Sequence, residues 1–205
     1  MLEVFKKNFA KDTALSVDRD RNTPLSLVSG WTNLVDHLGG CSFNQGLYRV
    51  IRASDAGAWS ARIAVAFPNF GGRITCFGFD WLGRMFAVDP ERTENGQPGV
   101  VMFEPGTGEA LEVPCNIASF HDEELIEYRD AVLASDFHRR WLNNGGVAPE
   151  YDQCIGYKKP LFLGGIDELE SLELSDIEVY WHLMGQLIIE AKGLPPRTPI
   201  SVSLS

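Results

Sequence analysis

The sequence predicts an α+β fold: an antiparallel or mixed sheet built from hairpins, with helices packed on it and helical regions at both ends. Three observations carry that expectation. Apolar residues recur at helical spacing near the N-terminus and again beyond residue 122, glycine-punctuated strand pairs lie between, and the order of elements lacks the alternation of βαβ units.

The chain opens with Leu2, Val4, Phe5 and Phe9 near a 3.6-residue spacing, the pattern of a short amphipathic helix, and "SVDRDRNTP" breaks it. A second helix is expected from Leu27 to Leu38, with Trp31, Leu34, Val35 and Leu38 on one side. Gly39-Gly40 stops it, because glycine reaches the conformations a helix end requires. His37, near that end, complements the helix dipole, a structural role. "GLYRVI" reads as a short strand, after which Ser54 can cap a helix running through Trp59, Ile63 and Phe67 to Pro68.

The stretch "RITCFGFDWLGRMFAVD", Arg73 to Asp89, decides between an enzyme and a piece of sheet. Residues 73 to 79 are apolar on both alternate sets, Ile74 and Cys76 on one side and Phe77 and Phe79 on the other, as in a strand covered on both faces. "DWLG" offers Asp80 to start a turn and Gly83 to take positive φ, and "RMFAV" makes the return strand. As a catalytic carboxylate Asp80 would need a partner and a shifted pKa; as a turn residue it needs only its own backbone, and the turn is the expected role. Trp81, a large aromatic on that turn, either folds back onto the core or waits for a partner. "GVVMFEPGTGEALEVP" repeats the hairpin pattern, with strands over 100 to 104 and 109 to 113. Its glycines do not continue into G-K-[ST] and a helix, so no phosphate loop is expected.

From Asp122 the periodicity is helical. Leu125, Tyr128, Val132 and Leu133 form one stripe, followed by Phe137, Trp141 and Leu142 before Gly145-Gly146. "SDIE" places Ser175 at a cap and Glu178 three residues on, a capping box opening a last helix whose face is Val179, Tyr180, Leu183, Met184, Leu187 and Ile188. Gly193 and Pro195-Pro196 end it.

Composition bounds the function. The 205 residues include 44% hydrophobic and 22% charged residues, ordinary globular values, so the chain can bury a core without staples. Neither an export signal nor an apolar run long enough to span a bilayer is visible. The four cysteines, Cys41, Cys76, Cys115 and Cys154, have no C-x-x-C spacing, so reduced thiols in a cytoplasm are expected rather than a zinc site or redox pair. The net charge of −10 is concentrated in residues 119 to 175, where twelve carboxylates meet five basic side chains. Such a segment repels nucleic acid and attracts a basic partner, or is a solvated face that keeps the protein soluble.

No catalytic constellation stands out. A G-x-S-x-G elbow, H-E-x-x-H and G-x-G-x-x-G are all absent. In "FHDEELIEYRD" a single His stands beside Asp122, Glu123, Glu124 and Glu127, acids that a helix N-terminus favours anyway. His121 and His138 lack a second ligand at metal spacing and are assigned surface or packing roles, and His182 a core or boundary role. Neither metal nor cofactor is expected, and no enzyme.

Taken together, "CFGFDWLGRMFAVD", "VVMFEPGTGEALEVPC", "FHDEELIEYRDAVL", "CIGYKKPLFLGG" and "DIEVYWHLMGQLI" resemble the bacterial immunity proteins that neutralise type VI secretion DNase toxins of the Tde group. The likeness runs over about residues 43 to 190 and leaves the first forty unmatched. It implies a GAD-like N-terminal region over 1–118 and a mainly helical C-terminal immunity domain over 119–205, packed as one unit, with a link to the SUKH immunity superfamily. The implied activity is inhibition by binding a cognate toxin, a nuclease, without direct contact to nucleic acid or membrane. In that reading Asp122, Glu123, Glu124, Glu127, Asp167, Glu168, Glu170 and Glu173 are rim charges against a basic groove, and Trp81, Tyr157 and Phe162 are anchors, each with ordinary core packing as its alternative. Two other functions stay open: a small-molecule or catalytic domain with a deep pocket joining Asp80 to His or Cys side chains, and a housekeeping adaptor for a host protein.

Overall fold

A computed structural model describes residues 2–14 and 28–192. Seven antiparallel strands form one meander in which each pairs with the next: β1 Lys11–Ala14, β2 Cys41–Phe43, β3 Tyr48–Val50, β4 Thr75–Asp80, β5 Met85–Glu94, β6 Gln97–Glu104 and β7 Glu109–Asn116. A separate hairpin joins β8 Gln153–Tyr157 to β9 Leu172–Asp176. The helices are α1 Glu3–Asn8, α2 Trp31–Leu38, α3 Ala56–Ala66, α4 Ile117–Ser119, α5 Leu125–Glu127, α6 Arg129–Leu133, α7 Ser135–Asn143 and α8 Ile177–Ala191, with a π-helical turn Phe120–Glu124 between α4 and α5. The α+β architecture matches the sequence expectation.

A bulge in β4 decides how the sheet is covered. Cys76 opposes Ala87 but Gly78 opposes Phe86, so one extra residue is inserted at Phe77. Phe77 and Phe79, expected on one side, therefore point to opposite faces. Phe77 meets Phe86 and Phe120, whereas Phe79 meets Trp59 of α3 and Tyr151. On the Phe77 face, Phe5 of α1 and the π-helical turn close over Tyr48. On the other, α3 covers the strands and α8 packs along α3, with Gly185 facing Ala66. Gly78 has a specific steric role, since a Cβ there would stand 2.4 Å from the Tyr48 hydroxyl.

Several local expectations shift. The second helix begins at Trp31 because Gly30, at φ 94°, breaks the turn before it; Leu27, the expected start, lies outside the described residues, as do "SVDRDRNTP" and the Gly193 to Pro196 stop. Ser54 does not cap α3: its hydroxyl donates to Asp55, the residue at the cap position. Asp176, not Ser175, caps α8 by accepting from the Glu178 and Val179 N–H groups, and the capping box is built instead by Asn116 and Ser119. The buried face of α8 is Ile177, Tyr180, Trp181, Met184, Gly185 and Ile188, leaving Val179 exposed, because the Trp181 indole reaches across to donate to the Gly83 carbonyl at 2.8 Å. Tyr128 and Val4 are likewise exposed rather than in their apolar stripes. The long β5–β6 hairpin was not among the expected ones; its turn is Asn95-Gly96, both at positive φ, the preferred pair for a two-residue loop.

Residues 119–192 are bound to the sheet at many points. Ile155 N–H donates to the Trp81 carbonyl, Trp81 Nε1 to the Leu133 carbonyl, and Leu161 N–H to the Gly106 carbonyl. One continuous apolar core runs from Leu2 to Ile188. The C-terminal segment adds the β8–β9 hairpin to its helices.

Candidate interaction surface

The two acidic runs sit at opposite ends of the β6–β7 hairpin. At the open end Gly99 pairs with Asn116, and the chain continues directly into α4 and the turn carrying Asp122, Glu123 and Glu124. At the closed end Glu104 pairs with Glu109, and Tyr157 packs over the turn so closely that a Cβ on Gly106 would lie 2.9 Å from its ring. Tyr157 donates its hydroxyl to Asp167 at 2.6 Å, which tethers the second run there. The intervening strand spans about 17 Å at the usual rise per residue.

Within the first run the acids differ. Asp122 accepts from the Leu2 N–H at 2.7 Å and the Phe5 N–H at 3.2 Å, so it caps α1 and holds the N-terminal helix to the sheet. Glu123 and Glu127 are exposed; Glu124 is half-buried, its pKa pushed up by burial and by repulsion from Glu127 and Glu123. A cavity of about 360 Å³ opens beside them, lined also by Asn95 and Asn116. In the second run Glu168, Glu170 and Glu173 are exposed, and Asp167 is exposed while holding Tyr157.

The three aromatic residues are packed against this chain. Trp81 is fully buried, its ring edge-on to Phe137 and His138, so of its two possible fates it folds back onto the core and offers no surface to a partner. Tyr157 is 5% exposed. Phe162 is half-buried beside Gly108 and Ile188, and its N–H shares the Gly106 carbonyl with that of Leu161. Tyr157 and Phe162 thus clamp the C-terminal segment onto the β6–β7 turn.

Asp80 occupies the turn as expected, and the structure adds a buried charge network. Its Oδ1 accepts from the Leu82 N–H at 3.0 Å and the Arg84 N–H at 2.9 Å, and its Oδ2 accepts from Arg84 Nε at 2.6 Å. Glu104 lies 3.7 Å from the same guanidinium. Burial pushes the Asp80 carboxyl up while Arg84 pulls it back; burial raises Glu104 to about 7. Arg49, also fully buried, donates to the Asp80 and Gln153 carbonyls and lies over the Phe79 ring. With its oxygens so occupied, Asp80 is a structural carboxylate.

The buried histidines are packing groups too. A carbonyl can only accept, so His121 donates from Nδ1 to the Ile117 carbonyl and leaves Nε2 to receive the Tyr48 hydroxyl at 3.0 Å. His138 Nε2 donates to the Gln45 carbonyl, steadying a turn in which Asn44, Gln45 and Gly46 all have positive φ. Burial lowers both imidazoles to about 4. All four cysteines are buried and unbonded, and burial raises the Cys76 and Cys115 thiols to about 12. Among the described residues no group of three or more His, Cys, Asp or Glu could hold a metal ion, and no helix is long and apolar enough to cross a membrane.

Residues 118–188 match the family model described as T6SS immunity protein Tdi1, C-terminal. That match supports a type VI secretion immunity protein. It covers α4 through most of α8, the segment that carries both acidic runs and the clamp on the β6–β7 turn. A crystal structure of Atu4351 from Agrobacterium tumefaciens has a similar fold, with a TM-score of 0.59 and 17% identity over 91% of this chain and 89% of that one. At that identity the likeness speaks for the architecture alone. No curated protein matches the chain significantly.

Proposed function

We propose that this chain neutralises a cognate type VI secretion effector, a DNase, by protein–protein contact in the cytoplasm and without catalysis of its own. The observation that carries the reading is the match of residues 118–188 to a type VI secretion immunity domain. The charge pattern supports it. A DNase presents a basic groove to its substrate, and Glu123, Glu124, Glu127, Glu168, Glu170 and Glu173 provide negative potential at both ends of one hairpin. The strand between the two ends spans about 17 Å, a length that a standard interface can bridge. In this reading they act as rim charges that speed encounter, with Asp122 and Asp167 holding the two runs in place. The protein does not bind DNA, whose phosphates its surface repels.

The test is co-expression with the catalytically active cognate effector. Cells carrying this chain survive and its loss restores killing; equal killing with and without the chain defeats the proposal. With purified components, inhibition of DNA cleavage sets in more slowly as salt rises, because screening weakens steering. An onset rate independent of salt removes the electrostatic part.

A further inference from the structure

A cavity of about 550 Å³ opens on the α3 side of the sheet, where α3, the end of β4, residues 150–152 and the start of α8 meet, and none of the acids of the two runs lines it. Trp59, Phe79, Tyr151 and Ile177 supply its apolar lining. Phe79 stands edge-on to Tyr151 at 5.6 Å between centroids and tilted against Trp59 at 6.2 Å, so the three rings form one aromatic floor. Tyr151 is fixed by donating its hydroxyl to the Val50 carbonyl, and Trp59 by burial in α3.

The charges around this floor are mainly negative. Asp55, Glu150, Asp152 and Glu178 line the cavity, and among the described residues Arg52 is the one lining cation; it bonds Asp55 at 2.7 Å. Just outside, Arg62 lies over the Trp59 ring at 4.7 Å and donates to Glu178 at 2.8 Å. The carboxylates of Glu150 and Asp152 are exposed and have no ion-pair or hydrogen-bond partner among the described residues; only their backbone groups are engaged. Arg62 shows the chemistry the rim favours: a guanidinium over an aromatic ring and bonded to a carboxylate.

The geometry points to this cavity as the receptor for one basic side chain, an arginine or lysine, projecting from the effector, with the partly exposed Tyr151 ring against the cation, Glu150 and Asp152 pairing with it, and the buried Trp59 and Phe79 rings backing the site beneath Arg62 and Arg49. The assignment rests on the immunity reading for its occupant but not for its chemistry. An aromatic face attracts a cation, more strongly as the site is desolvated, and the two unpaired carboxylates select against a neutral or anionic group. This makes the pocket a specificity site distinct from the rim charges, since a buried stacked cation governs lifetime whereas exposed acids govern encounter. No local motif marks it: its lining residues are spread from Arg52 to Glu178 and converge only on folding.

The test uses the full chain labelled with ¹⁵N, titrated with N-acetyl-arginine methylamide and with its neutral isostere N-acetyl-citrulline methylamide. The arginine probe shifts the Trp59 indole resonance saturably, and the citrulline probe binds about tenfold or more weakly. The double variant Glu150→Gln/Asp152→Asn, isosteric and confined to exposed side chains, keeps the wild-type unfolding midpoint and loses that preference. Equal binding of the two probes, or no saturable shift, overturns the assignment. With the cognate effector, the double variant weakens binding by about tenfold whereas Glu168→Gln/Glu170→Gln mainly slows association. If the double variant binds the effector within twofold of wild type, the pocket is not the receptor. A wild-type chain that fails to bind the effector sinks the immunity reading instead and leaves the probe result to judge the pocket.

Discussion

Asp80→Ala tests whether the turn carboxylate is structural. In the folded protein Asp80 is fully buried, neutralises Arg84 through contacts at 2.6 Å and closes the turn through the Leu82 and Arg84 N–H groups. Removing it leaves a buried guanidinium whose nearest remaining carboxylate, Glu104, is 3.7 Å away. Breaking one side of a buried pair costs about 3 to 5 kcal/mol. Glu104 offsets part of that, and the two lost turn bonds add about 1 kcal/mol each. The net loss of about 3 to 5 kcal/mol is a large share of a total stability of about 5 to 15 kcal/mol. In urea, with a slope of about 2 to 3 kcal/mol per molar, the midpoint falls by about 1 to 2.5 M. Asp80→Asn keeps an oxygen for the turn bonds and loses less than Asp80→Ala. Adding Arg84→Met to Asp80→Asn recovers stability, because the orphaned charge goes with it. A midpoint within about 0.3 M of wild type, together with lost protection against the effector, would refute the structural role and return Asp80 to the functional candidates.

Three further outcomes follow from the same packing. His121 and His138 titrate near pH 4 folded and near 6.5 unfolded, so between those values the unfolded chain binds more protons. Their contribution is complete above pH 6.5 and is lost on acidification, at up to about 1.4 kcal/mol per pH unit for each, and imidazole NMR midpoints near 6.5 would contradict it. Glu104, raised to about 7, has the opposite sign: its contribution is lost as pH rises from about 4.5 through 7, so the stability of Glu104→Gln relative to wild type increases by up to about 3 kcal/mol over that window in urea titrations. Gly156→Ala places a Cβ 2.4 Å from the Tyr180 ring beneath the β8–β9 hairpin and lowers stability by about 1 to 3 kcal/mol in thermal unfolding; an unchanged midpoint would show that the hairpin shifts freely.

Periodicity and turn chemistry made much of the architecture legible. The α2 face of Trp31, Leu34, Val35 and Leu38, the "DWLG" turn and the "PGTG" hairpin follow from local preferences, and each appears where those preferences place it. Short strands escaped. β1, β2, β8 and β9 run only three to five residues, too few for alternation to show against the background. The charge excess of residues 119 to 175 was also readable, though its split into two patches was not, because that depends on where Asn116 and Gly106 fall in the β6–β7 register.

Local sequence therefore settled the class of fold, the absence of recognisable catalytic motifs and the acidity of the C-terminal half, since each depends on neighbours within a few residues. Whether an aromatic is an anchor or a core residue depends on partners far along the chain: Trp81 is buried because Leu133 and Phe137 close over it, and Tyr157 because Gly106 leaves room for its ring. The bulge that sends Phe77 and Phe79 to opposite faces, and the pocket that joins Trp59 to Tyr151 and Asp152, belong to the same category. Residues a hundred positions apart carry no joint local signal, and chain folding alone brings their side chains into contact.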